Sequence, residues 1–210
     1  MPAVAAIKLV EKLGAITQTH QREAGGLLER AQQGDEEAFT LLFERYAKAV
    51  FNFIYRMVGQ SDLAEDLTQE TFVRAYKKLK GLRLQANTQL STWLISIAKN
   101  VARESFRSRQ ADQRTIGLEG VDKLDLSHGD PKPDEQLWDK EFQRIVQQGL
   151  ETLDPDKRLV FVLRVFQQCS YEEIATITGY SMPKLKTDLF RARAEMRSWL
   201  RPYLEQSREM

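Results

Sequence analysis

Apolar side chains recur at intervals of three and four along most of this chain, the spacing of helices with one buried stripe. The longest stripe is Phe39, Leu42, Phe43, Tyr46, Val50, Phe53, Ile54 and Met57. It predicts a helix from Glu36 to about Val58, with Asp35 as N-cap and Gly59 as its end. A shorter helix is expected over Gly25–Gln33, with Leu27, Leu28 and Ala31 inward and Gly34 as its stop. Asp62 followed by Glu65 fits a capping box in which Asp replaces Ser or Thr. The helix it opens runs to about Leu79, with Leu63, Leu67, Phe72, Tyr76 and Leu79 inward. After a polar loop over 81–90, Ser91 is the expected cap of a helix that buries Trp93, Leu94, Ile97, Ala98 and Val101. No strand-like alternation interrupts this first module. Residues 1–24 fit a short amphipathic helix and a plain leader equally well.

The periodicity breaks over 110–134, where Gly117, Gly120, Gly129, Pro131 and Pro133 mark a linker. Ile116, Leu118, Val121, Leu124 and Leu126 are its candidate anchors for a partner. Helical spacing returns from Asp134 with Leu137, Trp138, Phe142, Ile145 and Val146. Asp154 before Pro155 is a cap followed by proline at the first helical position. Leu159, Val160, Val162, Leu163 and Phe166 continue that helix. Ser170 and Glu173 form a full capping box for a short helix holding Ile174, Ala175 and Ile177. Gly179 stops it. Ser181 caps a longer helix with Pro183 in its first turn and Leu185, Leu189, Ala192, Met196 and Trp199 inward. Short helix, tight glycine turn and longer helix is the helix-turn-helix plan. The expected fold class is therefore all-α: two small helical domains, 25–110 and 135–204, joined by an acidic flexible linker over 111–134. Residues 1–24 precede them and a tail, 205–210, follows.

Charge sharpens this division. The net charge of +1 conceals 16 basic and 12 acidic side chains in residues 1–110, 5 and 11 in 111–154, and 10 and 7 in 155–210. Two basic ends flank an acidic middle. Within the first module the helix after Gly59 opens on Asp62, Glu65, Asp66 and Glu70. Nine basic residues follow, from Arg74 to Arg109, with Glu104 the one acid among them. A basic stripe of this kind meets phosphate or is simply a solvated face. From Lys184 to Arg193 basic residues outnumber acidic ones four to one. Lys184, Lys186, Thr187, Arg191 and Arg193 are the candidate contacts to phosphate or to base edges in a major groove.

Composition removes other classes. One cysteine, Cys169, excludes an internal disulfide and a cysteine-built zinc site. Two histidines, His20 and His128, sit outside the strong helical patterns. There is no glycine-rich phosphate loop and no nucleophile–base pair, so no enzyme activity and no cofactor are expected. Cys169 precedes a helix N-terminus, a position that can lower a thiol pKa; a lone cysteine there is far more often structural, with a redox switch as the lesser alternative. No apolar run reaches membrane-spanning length. Lys8, Glu11 and Lys12 break the N-terminal apolar run, so it does not read as a signal peptide and a cytoplasmic protein is expected.

Three stretches together resemble a known family. DLAEDLTQETFVRAY, STWLISIAKNVARESFRSR and LDPDKRLVFVLRVFQQCSYEEIATITGYS with RARAEM, in this order and separated by an acidic linker, resemble a bacterial RNA polymerase sigma factor of the extracytoplasmic-function class. The resemblance covers about residues 25–110 and 135–203. It implies that the first module is region 2, docking on the clamp helices of the polymerase's largest subunit through Asp66, Gln69 and Glu70. It implies that Ser96, Lys99, Asn100, Arg103 and Arg107 melt and read the −10 promoter element. It also makes the loop Leu84–Gln89 the pocket for a flipped base. The second module is then region 4, reading the −35 element as duplex and touching the polymerase flap, with an anti-sigma factor as regulator. The chain departs from the family at Ser181–Asp188: Asp188 stands where a basic residue is common, and there it would repel phosphate or select a cytosine amino group. A stand-alone helix-turn-helix regulator with a ligand-sensing or dimerising first module is the alternative.

Overall fold

The computed structural model describes residues 25–83, 89–116 and 135–206. The leader over 1–24, most of the base-pocket loop and the linker anchors from Gly117 to Asp134 lie outside the described residues. Every regular element among those described is helical. Helix α1 covers 25–32. It is followed by α2 (Glu36–Val58), α3 (Ser61–Leu79) and α4 (Leu90–Ile116). The second module holds α5 (Glu135–Thr152), α6 (Pro155–Phe161), a π-helical segment (Val162–Phe166), α7 (Tyr171–Thr178) and α8 (Met182–Gln206).

Local chemistry explains most of these boundaries. Asp35 accepts from the Ala38 N–H at 3.0 Å and caps α2. That hydrogen bond, with the Arg30 guanidinium beside it, holds the Asp35 carboxyl below its ordinary range. Gly59, in left-handed conformation, closes α2 through its N–H to the Tyr55 carbonyl at 2.8 Å. Ser170 and Glu173 cap α7 reciprocally, at 3.1 and 2.7 Å. Gly179 has φ +75°, the left-handed turn that lets α8 leave α7 as a helix-turn-helix requires.

Three boundaries differ from the sequence expectation. Helix α3 begins at Ser61, with Gln60 in the N-cap position and no side-chain cap. Asp62 lies inside the first turn, where its charge meets the positive helix end instead of bonding an N–H. Helix α4 begins at Leu90, which is buried, so Ser91 is within the helix and its hydroxyl contacts the Gln89 side chain at 3.4 Å. It then continues to Ile116, past the point at which apolar periodicity fades. A further difference is the π-helical segment after α6, where the Gln167 N–H reaches back five residues to the Val162 carbonyl at 3.1 Å.

Phe53, Ile54 and Val50 of α2 pack with Leu67, Phe72 and Leu79 of α3 and Leu94, Ile97 and Val101 of α4. In the second module Leu150, Val160, Leu163, Ile174, Leu185 and Leu189 are each about 1% exposed or less. Each such side chain contributes about 1.5–3 kcal/mol by leaving water. The two modules also touch: α4 packs on α7, and α2 on α5 and the π-helical segment. Their buried residues form one continuous cluster.

Gly149 shows how tightly α5 meets α8. A Cβ there would stand 2.6 Å from Cδ1 of Trp199, whose indole N–H is held by the Ile145 carbonyl at 3.0 Å. In an open helix interior Gly→Ala adds up to about 1 kcal/mol of stability. Here we expect Gly149→Ala to cost about 1–3 kcal/mol by overpacking. Urea unfolding of the full chain measures it, and a stabilised variant would show that Trp199 can yield.

Candidate nucleic-acid interface

Asp66, Gln69 and Glu70 lie on α3 at spacings of three and four, and all three are exposed on one face. Arg74, one turn further, donates from Nε to Glu70 Oε1 at 3.0 Å and from Nη2 to Glu104 Oε2 on α4 at 2.6 Å. The Arg74 guanidinium therefore holds the Glu104 carboxyl below its usual range. The one acid within the basic stripe is spent on pinning α4 to α3. Lys77, Lys78, Lys80 and Arg83 remain exposed beside this clamp.

On α4 the expected −10 residues divide into two groups. Asn100, Arg103 and Arg107 are exposed, on the side opposite the buried Leu94, Ile97, Ala98 and Val101. Ser96 and Lys99 are half-buried. The Ser96 hydroxyl donates to the Trp93 carbonyl of its own helix at 2.7 Å. Lys99 Nζ donates to the Ile177 carbonyl, at the C-terminal end of α7, at 2.7 Å. Burial, and then the charge of Arg103, lower the Lys99 pKa. Trp93 is half-buried and packs on the core.

On α8, Lys186, Thr187, Arg191 and Arg193 are exposed. Lys184 is not free in the same way. Its ammonium lies 2.9 Å from Asp156 Oδ2 and 2.7 Å from Asp188 Oδ2, and 4.5 Å from the centre of the Tyr180 ring. Both carboxylates raise its pKa, Asp188 most. Asp188 itself is only 8% exposed. The expectation that it faces DNA is corrected: it turns inward as the partner of Lys184 and presents no carboxylate to a groove. Tyr180 donates its hydroxyl to Asp156 Oδ1 at 2.6 Å, and burial with that acceptor pushes its pKa up to about 12. This network spans α6, the turn and α8.

Sequence reasoning missed Asp156 and Tyr180 as the partners of Lys184, because nothing local links positions so far apart. It also missed Phe190, which is 76% exposed between Lys186 and Arg193. Its break from the apolar spacing of Leu185, Leu189 and Ala192 was the available signal. Cys169 fits the structural role that the sequence favoured rather than the redox alternative. Its thiol is buried and pushed up to about 11 by desolvation and the nearby Glu173, which leaves almost no reactive thiolate at neutral pH. Among the described residues no cluster of three or more His, Cys, Asp or Glu could hold a metal, and no helix is long and apolar enough to cross a membrane.

Comparison with known proteins gives this surface its context. The family model for Sigma-70 region 2 matches residues 42–111, and that for Sigma-70, region 4 matches residues 143–196. The RNA polymerase sigma-H factor of Pseudomonas aeruginosa is 30% identical over 192 residues, 89% of this chain and 98% of that protein. The ECF RNA polymerase sigma-E factor of Escherichia coli K12 is 31% identical over 183 residues, 85% of this chain and 94% of that protein. Among solved structures, the sigma factor RpoE of Bartonella quintana, in complex with the anti-sigma factor NepR, superposes with a TM-score of 0.66 at 21% identity. That superposition covers 78% of this chain and 96% of RpoE. CnrH, in complex with the cytosolic domain of CnrY, superposes with a TM-score of 0.61 at 24% identity, covering 84% and 96%. These two show the shared fold. With both regions matched in order, and a relative at 30% identity covered almost from end to end, the chain belongs to the sigma-70 family of RNA polymerase sigma factors, in its extracytoplasmic-function class.

Proposed function

We propose that this chain is a dissociable specificity subunit that binds core RNA polymerase and directs promoter-specific initiation of transcription. The observation that carries the reading is the pairing, on two helices clamped by Arg74, of an acidic face with a basic one, followed in the same chain by a helix-turn-helix. The first module is region 2 and the second region 4. Asp66, Gln69 and Glu70 dock on the clamp helices of the largest subunit. Lys99, Asn100, Arg103 and Arg107 take the opened −10 strand: the cations hold the backbone, and Asn100 offers a donor and an acceptor to a base edge. Ser96 supports that helix. Region 4 reads the −35 duplex through Lys186, Thr187, Arg191 and Arg193 and meets the polymerase flap.

Besides Ser96, two assignments shift from the sequence expectation. Lys184 orders the helix-turn-helix through Asp156 and Asp188 rather than reaching a phosphate first. Phe190 joins the reading face, where an exposed ring suits a thymine methyl. The protein supplies no bond-making step of its own; the polymerase does that, in the cytoplasm. Control by an anti-sigma factor follows the example of the Bartonella protein.

Run-off transcription with core polymerase, followed by sequencing of the transcript starts, tests the whole reading. Promoter binding without any polymerase-dependent transcript would favour a stand-alone regulator. Asp66→Arg is expected to weaken polymerase binding about tenfold with unchanged helix content, since a reversed charge opposes a complementary surface. Unaltered affinity in a titration would remove Asp66 from the docking face. Arg191→Ala should lower −35 duplex affinity for all sequences and reduce the slope of log K against log salt by about 1. Phe190→Ala should leave that slope alone and weaken binding only where a thymine is read. Identical salt and sequence responses in the two variants would refute this division of labour.

A further inference from the structure

We propose that Asp188 sharpens −35 recognition without touching DNA: it withholds Lys184 from phosphate and keeps the N-terminal end of α8 locally negative, so that a duplex with the wrong bases is held weakly. This rests on the reading of α8 as the −35 helix. Lys184 is the first cation of that helix and lies in its first turn, the end that would enter a groove. Its ammonium stands 2.7 Å from Asp188 Oδ2 and 2.9 Å from Asp156 Oδ2, over the Tyr180 ring at 4.5 Å. The Lys184 side chain is 39% exposed and that of Asp188 12%. The cation is therefore within reach of solvent, with its carboxylate behind it.

Holding the turn together does not account for Asp188. Asp156 does that work from another helix, since it bonds both the Tyr180 hydroxyl and the Lys184 ammonium. Asp188 lies four residues after Lys184 on the same helix, so their ion pair ties no two elements together. The order is also the weaker one for a helix, in which the acid is better placed before the base. Aspartate is a poor helix former besides. What Asp188 changes is charge. One ammonium between two carboxylates leaves +1 − 2 = −1 at the tip of the reading helix.

That charge bears on selectivity because attraction to phosphate is blind to sequence and supplies nearly all non-specific binding. Screening limits the reach of the cluster to about 8 Å at physiological ionic strength, so it acts on the phosphates beside the helix tip. For Lys184 to reach one of them, it must abandon two carboxylates and leave them facing each other. A matched site offsets this through the base contacts of Thr187 and Phe190, which are exposed on the same helix. A mismatched site, held by phosphate alone, does not. Specificity then comes partly from a penalty on the wrong complex.

Run-off transcription by the full chain with core polymerase tests this on two templates: a promoter mapped from the transcript starts, and the same promoter with its −35 element scrambled. Asp188→Asn brings the cluster to zero charge. It is expected to raise the scrambled-template transcript relative to the intact one by roughly threefold, the weight of one unit charge acting through water. Lys184→Gln together with Asp188→Asn returns the cluster to −1 and should return the wild-type ratio. A ratio spoiled by a displaced helix would stay spoiled in that double variant. An unchanged ratio in Asp188→Asn, or no recovery in the double variant, overturns the proposal. Should Asp188→Asn lose helix content, Lys184→Gln alone decides. It leaves the cluster at −2 and should lower the scrambled-template transcript relative to the intact one by a similar factor, and an unchanged ratio overturns the proposal. A wild-type chain that transcribes both templates equally defeats the −35 reading of α8 and the proposal with it. A wild-type chain that discriminates, with Asp188→Asn discriminating equally well, defeats the proposal alone.

Discussion

Helix α4 must satisfy two demands at once. Leu94, Ile97, Ala98 and Val101 on one side are each 5% exposed or less, and burial of that stripe sets the rotation of the helix about its axis. At about 25 cal/mol per Å² of apolar surface, turning the stripe outward would cost more than any surface charge could return. Asn100, Arg103 and Arg107 therefore face outward because the core leaves them no alternative. The rotation fixed by hydrophobic packing is what aims the polar face. The Arg74 clamp to Glu70 and Glu104 then ties this face to the exposed side of α3.

The same logic organises the second module. Leu185, Leu189, Ala192 and Met196 seat α8 against α6 and α7, which leaves Lys186, Thr187, Arg191 and Phe190 outside. The Asp156–Tyr180–Lys184–Asp188 network fixes the turn between α7 and α8 with charge rather than bulk. Tyr180 bonds Asp156 while Lys184 bonds both carboxylates, so the reading helix is held at its N-terminal end, where it would enter a groove.

What joins the modules differs in kind from what holds each together. Inside a module close-packed apolar contacts carry the fold, and charged clamps such as Arg74–Glu104 and Lys184–Asp188 add to them. Between them the apolar cluster continues, cations reach neutral carbonyls and an amide, and among the described residues three buried polar side-chain atoms go unmatched. An interface of that composition is specific in register and modest in strength, which suits a protein whose parts act on separate stretches of DNA.

The helical plan was legible because its signals act within four residues. The stripe of α2, the Asp35 cap, the glycine stops and the Ser170–Glu173 box all depend on neighbours one turn away. The errors at Asp62 and Ser91 were of the same local kind, with the pull of a buried residue such as Leu90 outweighing a cap signature. The exposed members of the candidate face, Asn100, Arg103, Arg107, Lys186, Thr187, Arg191 and Arg193, were likewise readable, as the complement of the apolar spacing. Tertiary structure alone decided the rest. Lys99 meets a carbonyl 78 residues away, Lys184 and Tyr180 find Asp156 on another helix, Asp188 turns inward, and Gly149 makes room for Trp199. A side chain's local pattern tells which way it points, whereas its partner depends on how separate helices are brought together, and no spacing along the chain encodes that.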